Sequence, residues 1–416
     1  MKRCAFTFTG VTKIKTHMMY CLWATALILS FFGIHGAAAA DISTTAHKTM
    51  KIRFQVLLDS LQEEYSFPGM TAAYILSDGK TVSAATGLAD IESGVEMTAD
   101  SRMLAASIGK SFVAATVLAL VQENRVNLDD PISTWLDNRS WFDRLPNHDS
   151  IILRQLLNHT SGLANHVELD AFARDLSERW QQLQNPFTPE QLVAYILERP
   201  ALFAAGEGWA YSDTGYILAG MIIESVTGHR YEEELRRRFL EHLELTLTEP
   251  SNRRQLPGLV PGYVSPDNIF ALPVKTTASD AVMAWHPGIE WTGGGLISNS
   301  RDLVKWAKAL FEGDAMTGNT LDELLRPVTV SEERPGLFYG LGVTIAKTGT
   351  LGPVYGHKGW IPGYVSSMCY YAQDKIAVAF QINTDIGMLG TSNVIKAIEN
   401  RLAVAVIQIN SNQLNF

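Results

Sequence analysis

The sequence predicts an α+β fold in which both chain ends build one antiparallel sheet, flanked by terminal helices, with an all-α domain inserted between them. Three observations carry this expectation. Strand-like apolar runs occur early, at Met70–Leu76 and Thr81–Thr86, around the hairpin turn Ser77-Asp78-Gly79. They return only after Pro335, at Gly340–Ala346, Val365–Tyr371 and Ile376–Asn383. Between them, from about Asp129 to Gly313, the chain reads as helices joined by long loops.

The remaining elements follow the same rules. Met50, Phe54, Leu57, Leu58 and Leu61 are spaced as on a helix over residues 47–64, which Pro68-Gly69 ends. A helix starts near Ser107 and runs to about Asn124, with Ile108, Phe112, Ala115, Leu118 and Val121 on its apolar side. Another covers Tyr216–Thr227 and stops at Gly228. A third covers Arg301–Glu312, with Ser300 as its start signal and Gly313 as its stop. The last spans about Thr391–Gln408. The sheet subdomain is therefore expected over about 45–100 and 335–410, and the helical one over about 105–330. A cleft between the two is the natural place for a site.

Composition bounds the function. With 416 residues, 46% hydrophobic and 19% charged, the chain is long and apolar enough for a large core. Residues 1–40 carry Lys2, Arg3, Lys13 and Lys15, an apolar stretch from about Met18 to Ile34, and Ala38-Ala39-Ala40 before Asp41. This reads as an export signal cut near Ala40, which places the remaining 41–416 in a secreted or periplasmic compartment. The alternative is a retained membrane anchor. Cleavage takes the formal net charge from −9 to −13, which argues against nucleic acid or an anionic membrane as the main partner. Cys4 and Cys21 would leave with the signal, so Cys369 has no partner for an internal disulfide. Within the apolar run Val365–Tyr371 it reads as a buried structural thiol. No later stretch is long and apolar enough to span a membrane, and oligomeric state is not legible.

Three short motifs carry the chemistry. Ser107-Ile108-Gly109-Lys110 is an S-x-x-K pattern at a helix start, which puts both side chains on one face. A serine hydroxyl needs a neighbour to take its proton, and a desolvated lysine near other cations can be neutral enough to do so. Taken alone, the pattern is equally that of a helix start with a surface lysine. Gly109-Lys110-Ser111 imitates the end of a phosphate-binding loop, but Leu104 stands where that loop needs glycine. Tyr211-Ser212-Asp213 precedes a helix: a phenol there can shuttle a proton, or the tripeptide is a packing tyrosine with capping residues. Gly356-His357-Lys358-Gly359-Trp360 lies between strands, where glycine admits a ligand and a backbone N–H can bind an oxyanion.

The order of these motifs, with Leu156-Leu157-Asn158-His159-Thr160-Ser161-Gly162-Leu163, Tyr211–Leu218, Gly293–Ser298 and Tyr339-Gly340-Leu341-Gly342, resembles the penicillin-recognising serine hydrolases. These are the β-lactamase/transpeptidase-like superfamily of class C β-lactamases, DD-carboxypeptidases, D-aminopeptidases and related esterases. The resemblance runs from about Pro68 to Asn383. It implies an acyl-enzyme on Ser107, proton exchange between Lys110 and Tyr211, and an oxyanion hole from the backbone N–H groups of Ser107 and Trp360. His357 and Gly359 would line the site from the sheet edge, and no metal or organic cofactor is expected. The absence of a Ser-Asp-Asn tripeptide favours the tyrosine-type arrangement over the class A one.

Two departures bear on the substrate. The family's Lys-Thr-Gly element is expected at His357-Lys358-Gly359, and Lys347-Thr348-Gly349 is a decoy within a hairpin region. A histidine is cationic only part of the time near neutral pH, and strand alternation turns Lys358 away. Asp213 stands where the family more often has Asn; it offers only acceptors when ionised, or pairs with a cation such as Lys110. The resulting expectation is a serine hydrolase of the D-Ala-D-Ala carboxypeptidase or amidase kind acting on a small-molecule or peptide substrate. Esterase or D-aminopeptidase action, a β-lactamase, and a non-hydrolytic cell-wall ligand binder are the alternatives.

Overall fold

Both ends of the chain do meet in one sheet. In this computed structural model the described residues are 48–180, 185–316, 318–389 and 393–414, so the expected export signal lies outside them. A helix over residues 48–65 (α1) leads to β1 (Gly69–Ile75), β2 (Thr81–Asp90), β3 (Val95–Glu96) and β4 (Met103–Leu104). A 3-10 turn over Ala106–Ile108 then runs into α2 (Gly109–Gln122). The middle holds α3 (Ser133–Leu136), α4 (Leu153–Leu157), α5 (Asp170–Arg179), α6 (Pro189–Ala194), α7 (Asp213–Thr227) and α8 (Tyr231–Leu235). Four short strands follow: β5 (Glu249–Pro250), β6 (Thr277–Ser279), β7 (Val282–Met283) and β8 (Leu296–Ser298). Next come α9 (Ser300–Glu312), α10 (Thr320–Leu324), β9 (Val328–Thr329), β10 (Leu337–Tyr339) and β11 (Thr344–Ala346). The chain closes with β12 (Val354–Ile361), β13 (Tyr364–Tyr371), β14 (Ile376–Ile382) and α11 (Val394–Leu414).

The main sheet has nine strands in the order β3-β2-β1-β14-β13-β12-β11-β10-β9. Early and late strands join at the antiparallel β1–β14 pair, from Met70 opposite Ile382 to Ile75 opposite Ala377. Every residue of β1 and β14 is buried, so these strands read as continuous apolar runs; β2, nearer the sheet edge, alternates. Helix α9 packs on β1, β13 and β14, and α11 on β13 and β14. Ser300 ties α9 to the sheet, with its hydroxyl 2.8 Å from Thr71 Oγ1 and 3.0 Å from the Thr71 carbonyl.

Three details differ from the sequence reading. The cap of α9 is Asn299, whose Oδ1 accepts the Asp302 N–H at 2.9 Å, while Ser300 points to the sheet. Of the expected strand Gly340–Ala346 only Thr344–Ala346 is strand (β11); its first four residues are the tight turn that follows β10, in which Gly340 N–H bonds Val343 O at 2.8 Å. That turn also docks onto the helical part, with Gly342 N–H 3.2 Å from Leu157 O. The inserted part is mostly helical but carries two small sheets, β4-β8-β5 and β6-β7. Strands of two or three residues are too short to show any period. Cys369 is half-buried on β13, and desolvation pushes its thiol up to about 12. Among the described residues no helix is long and apolar enough to cross a membrane.

Strand β12 positions the site. It pairs with β13 along its whole length, with Gly359 opposite Ser366. Strand β11 covers only Val354–Gly356 on the other side, and the turn carrying Ser107 packs against β12. Contact is so close at Gly359 that a Cβ there would lie 2.2 Å from the Ala105 carbonyl oxygen and 2.2 Å from Ser366 Oγ. Gly359→Ala should therefore force the turn and strand apart. Urea unfolding is expected to show a loss of roughly 2–4 kcal/mol, and a loss under 0.5 kcal/mol would mean that this contact yields easily.

Candidate active site

Ser107 lies in the 3-10 turn rather than in the helix itself, which begins two residues later. The residue before it, Ala106, has φ of +50°, a left-handed conformation that costs an alanine about 1 kcal/mol or more. Gly294 presses on this turn from the other side; a Cβ on Gly294 would be 2.6 Å from the Ala106 carbonyl carbon and 2.9 Å from Ser107 N. The strained turn is thus clamped between the Gly294 backbone and β12.

Lys110 is completely buried and its ammonium has three acceptors. Ser107 Oγ is 3.0 Å from Nζ, and Asp213 Oδ1 and the Gly293 carbonyl complete the set. Three acceptors use all three N–H bonds of an ammonium. The Tyr211 and Tyr216 rings lie 4.9 and 5.3 Å from Nζ. Burial alone would lower the lysine, but Asp213 and Tyr211 outweigh it and hold the ammonium above its ordinary value. This corrects the expectation of a lysine neutralised by desolvation and nearby cations: its neighbour is an anion. Tyr211 stands beside this ammonium, and burial pushes its hydroxyl up to about 12 despite Lys110, so it is a neutral phenol at rest.

The Leu156–Leu163 block holds Tyr211 and Asp213 in place. His159 accepts the Ser212 N–H on Nδ1 at 3.1 Å and the Ala210 N–H on its carbonyl at 3.0 Å. Its ring lies 4.3 Å from that of Tyr211, and desolvation keeps it neutral. The start of α7 is capped by a residue that sequence reasoning missed: Asn165 Oδ1 accepts the Asp213 N–H at 3.1 Å. Ser212, expected as a cap, instead bonds the Ala164 carbonyl at 3.1 Å. The Tyr216 hydroxyl donates to Leu157 O at 2.6 Å, closing α7 onto α4.

The sheet edge supplies the opposite wall. His357 Nδ1 donates to the Lys358 carbonyl at 2.5 Å, which leaves Nε2 to accept from the Tyr339 hydroxyl at 2.8 Å. Burial, helped by Lys110, brings His357 down to about 3, so the ring is neutral across the physiological range. Lys358 also lines the cavity, on the exposed side of the strand, and its ammonium lies 3.2 Å from Glu399. Trp360 is 40% exposed at the rim, with Nε1 bonded to Asp385 at 3.0 Å. Lys347 lies beyond β11 with its ammonium over the Phe338 ring at 5.1 Å and does not line the cavity.

Ser107, Tyr211, Asp213, His357, Gly359 and Trp360 thus line one cavity of about 420 Å³. Phe172, Leu176, Phe270, Leu272, Trp285 and Ile289 give it an apolar side wall. Glu290 also lines it and was not legible as a site residue. Its only sequence signal is a lone acid in the otherwise uncharged run Trp285–Ser300. Its Oε2 is buried with no hydrogen-bond partner, and burial pushes the carboxyl up to about 8 against the pull of Lys110. Among the described residues no group of three or more His, Cys, Asp or Glu side chains is placed to hold a metal ion. The chemistry available is nucleophilic: a serine hydroxyl on a strained turn, hydrogen-bonded to a buried ion pair.

Comparison with known proteins agrees with this geometry. A family model described as beta-lactamase matches residues 54–395. Penicillin-binding protein 4* of Bacillus subtilis is 25% identical over 84% of this chain and 75% of its own length. A D-aminopeptidase of Brucella anthropi is 24% identical over 80% of this chain and 59% of its own length. Among solved structures, a D-stereospecific amidohydrolase from a Streptomyces species is 31% identical over 83% of this chain and 98% of that one, with a TM-score of 0.71. D-amino acid amidase from Ochrobactrum anthropi is 26% identical over 86% of this chain and 98% of that one, also with a TM-score of 0.71. With the family model spanning most of its length and the fold shared with these structures, this chain belongs to the β-lactamase family of serine hydrolases.

Proposed function

We propose that this protein is an exported amidase of amino-acid derivatives, working through an acyl-enzyme on Ser107, and that its substrates carry no carboxylate next to the scissile bond. The observation behind this is the state of the cations. Among the described lining residues Lys358 is the sole lysine or arginine, and it is paired with Glu399. Lys110 is paired with Asp213, and His357 is neutral. D-Ala-D-Ala peptides and β-lactams both present a carboxylate that needs a cation, and none is free on this wall. The D-aminopeptidase and D-amino acid amidase named among the similar proteins support amide substrates of D-amino acids. The apolar wall of Phe172, Phe270 and Trp285 suits a bulky side chain. Export rests on the basic and apolar leader of residues 1–40.

The proton balance follows from the resting charges. Ser107 Oγ attacks the acyl carbon and gives its proton to Tyr211, which passes its own to Lys110 as Lys110 releases one to Asp213. The ammonium of Lys110 is saturated and Tyr211 is a phenol, so the group with room for the proton is the Asp213 carboxylate beyond them. The same proton returns to the leaving nitrogen, which departs as an amine. Water then repeats the sequence and releases the acid. The developing oxyanion would be held by the backbone N–H groups of Ser107 and Trp360.

Three measurements test this reading. A fluorophosphonate probe should label wild-type protein at Ser107 by mass spectrometry and leave Ser107→Ala unlabelled; equal behaviour of the two would end the serine hydrolase assignment. Tyr211→Phe should keep the fold and lower kcat/KM for a D-amino-acid amide by about 10²–10⁴; a loss under threefold would remove Tyr211 from the proton path. Asp213→Asn takes away the anion that raises Lys110, so a neutral, burial-lowered lysine has to serve as base. That amine is lost on acidification, so the acidic limb of the kcat/KM–pH profile should move to higher pH by about one unit or more. An unmoved limb would show that Asp213 does not receive the proton.

A further inference from the structure

Three carboxylates line the cavity beside Ser107, and two of them have partners. Asp213 holds Lys110, and Glu168 accepts the Asn165 side-chain amide at 3.0 Å. Glu290 has none among the described residues: Oε2 is buried and unpartnered, and the residue faces the cavity. A carboxyl in a desolvated, largely apolar pocket is costly unless something of opposite charge enters. Glu290 is also rigidly tied to the reacting centre. Its carbonyl accepts the Gly293 N–H at 2.6 Å, the Gly293 carbonyl receives the Lys110 ammonium, and Gly294 packs on Ser107 N.

Resting on the amidase reading above, we propose that Glu290 is the specificity residue that receives the ammonium group carried by the acyl part of the substrate. An α-ammonium sits two bonds from the carbonyl carbon that Ser107 attacks, so a binding group for it belongs in the same cavity as Ser107. The ammonium gives the unpartnered Glu290 carboxyl a charged hydrogen-bond donor, and the side chain of the same amino acid extends along the apolar wall. Substrates with a neutral acyl part leave Glu290 buried and unpaired.

The empty protein provides a check on the premise. The carboxyl titrates near 4.5 when unfolded and is raised to about 8 when folded, so its ionised form is penalised only in the folded state. Stability is therefore full below about 4.5 and declines as pH rises toward 8. Glu290→Gln should raise Tm at pH 8 by roughly 2 °C and leave it unmoved at pH 4; no gain at pH 8 would mean that the carboxyl is already paired and would overturn the proposal.

The direct test compares D-phenylalanine p-nitroanilide with 3-phenylpropionic acid p-nitroanilide, which lacks only the amine. Wild type should prefer the first by roughly 30-fold or more in kcat/KM, and E290Q should bring that ratio to within about threefold of unity, as expected for a lost charged hydrogen bond. Glu290→Asp, which keeps the charge, should retain a preference. A wild-type ratio under threefold, or a ratio that E290Q leaves unchanged, overturns the proposal, and the wild-type ratio decides alone if E290Q does not fold. Probe labelling of Ser107 separates the two readings: labelled protein with no amine preference refutes Glu290 only, whereas unlabelled wild type refutes the hydrolase itself.

Discussion

The buried ion pair of Lys110 and Asp213 is the constraint on which the rest of the site depends. A lysine with no exposed surface is tolerable only with an anion and further acceptors around it, and here Asp213, the Gly293 carbonyl and Ser107 complete its hydrogen bonds. Each partner comes from a different part of the chain. Lys110 and Ser107 stand at the start of α2, Asp213 opens α7, and Gly293 precedes β8. Satisfying one ammonium therefore fixes three segments against one another, and it holds Ser107 Oγ 3.0 Å from that ammonium as a consequence.

The same pair sets the electrostatics of the cavity. The ammonium and burial together keep His357 neutral, and burial dominates at His159. Tyr211 remains a phenol because desolvation outweighs the attraction of Lys110. What is left facing the cavity is an apolar wall, neutral rings and carboxyl groups, with the nearby cations already engaged.

The sheet supplies rigidity where the chemistry needs it. Strand β12 stands beside β13 in a sheet whose strands β1 and β14 are wholly buried, so its outer edge is a fixed wall. The 3-10 turn of Ser107 is pressed onto that wall at Gly359 and onto Gly294 from behind. A strained φ at Ala106 persists because both sides of the turn are held. Rigid backbone on both sides is the requirement for aligning a nucleophile with N–H groups that stabilise an oxyanion.

Much of this was legible in the sequence, and the reasons are local. Apolar runs at both ends and helical periods between them determined the sheet and its helical insertion, because side-chain alternation and 3.6-residue spacing are written into the chain itself. Motif order placed Ser107, Lys110, Tyr211 and His357-Lys358-Gly359 in one site. Only the tertiary structure decided the charges and the unmarked members of the site. Whether Lys110 is neutral or charged depends on Asp213, 103 residues away. The neutrality of His357 depends on burial and on the ammonium of Lys110 from a distant helix. Asn165 and Glu290 carry no motif, because capping a distant helix or facing a cavity unpaired is a property of position in space, which sequence spacing does not record.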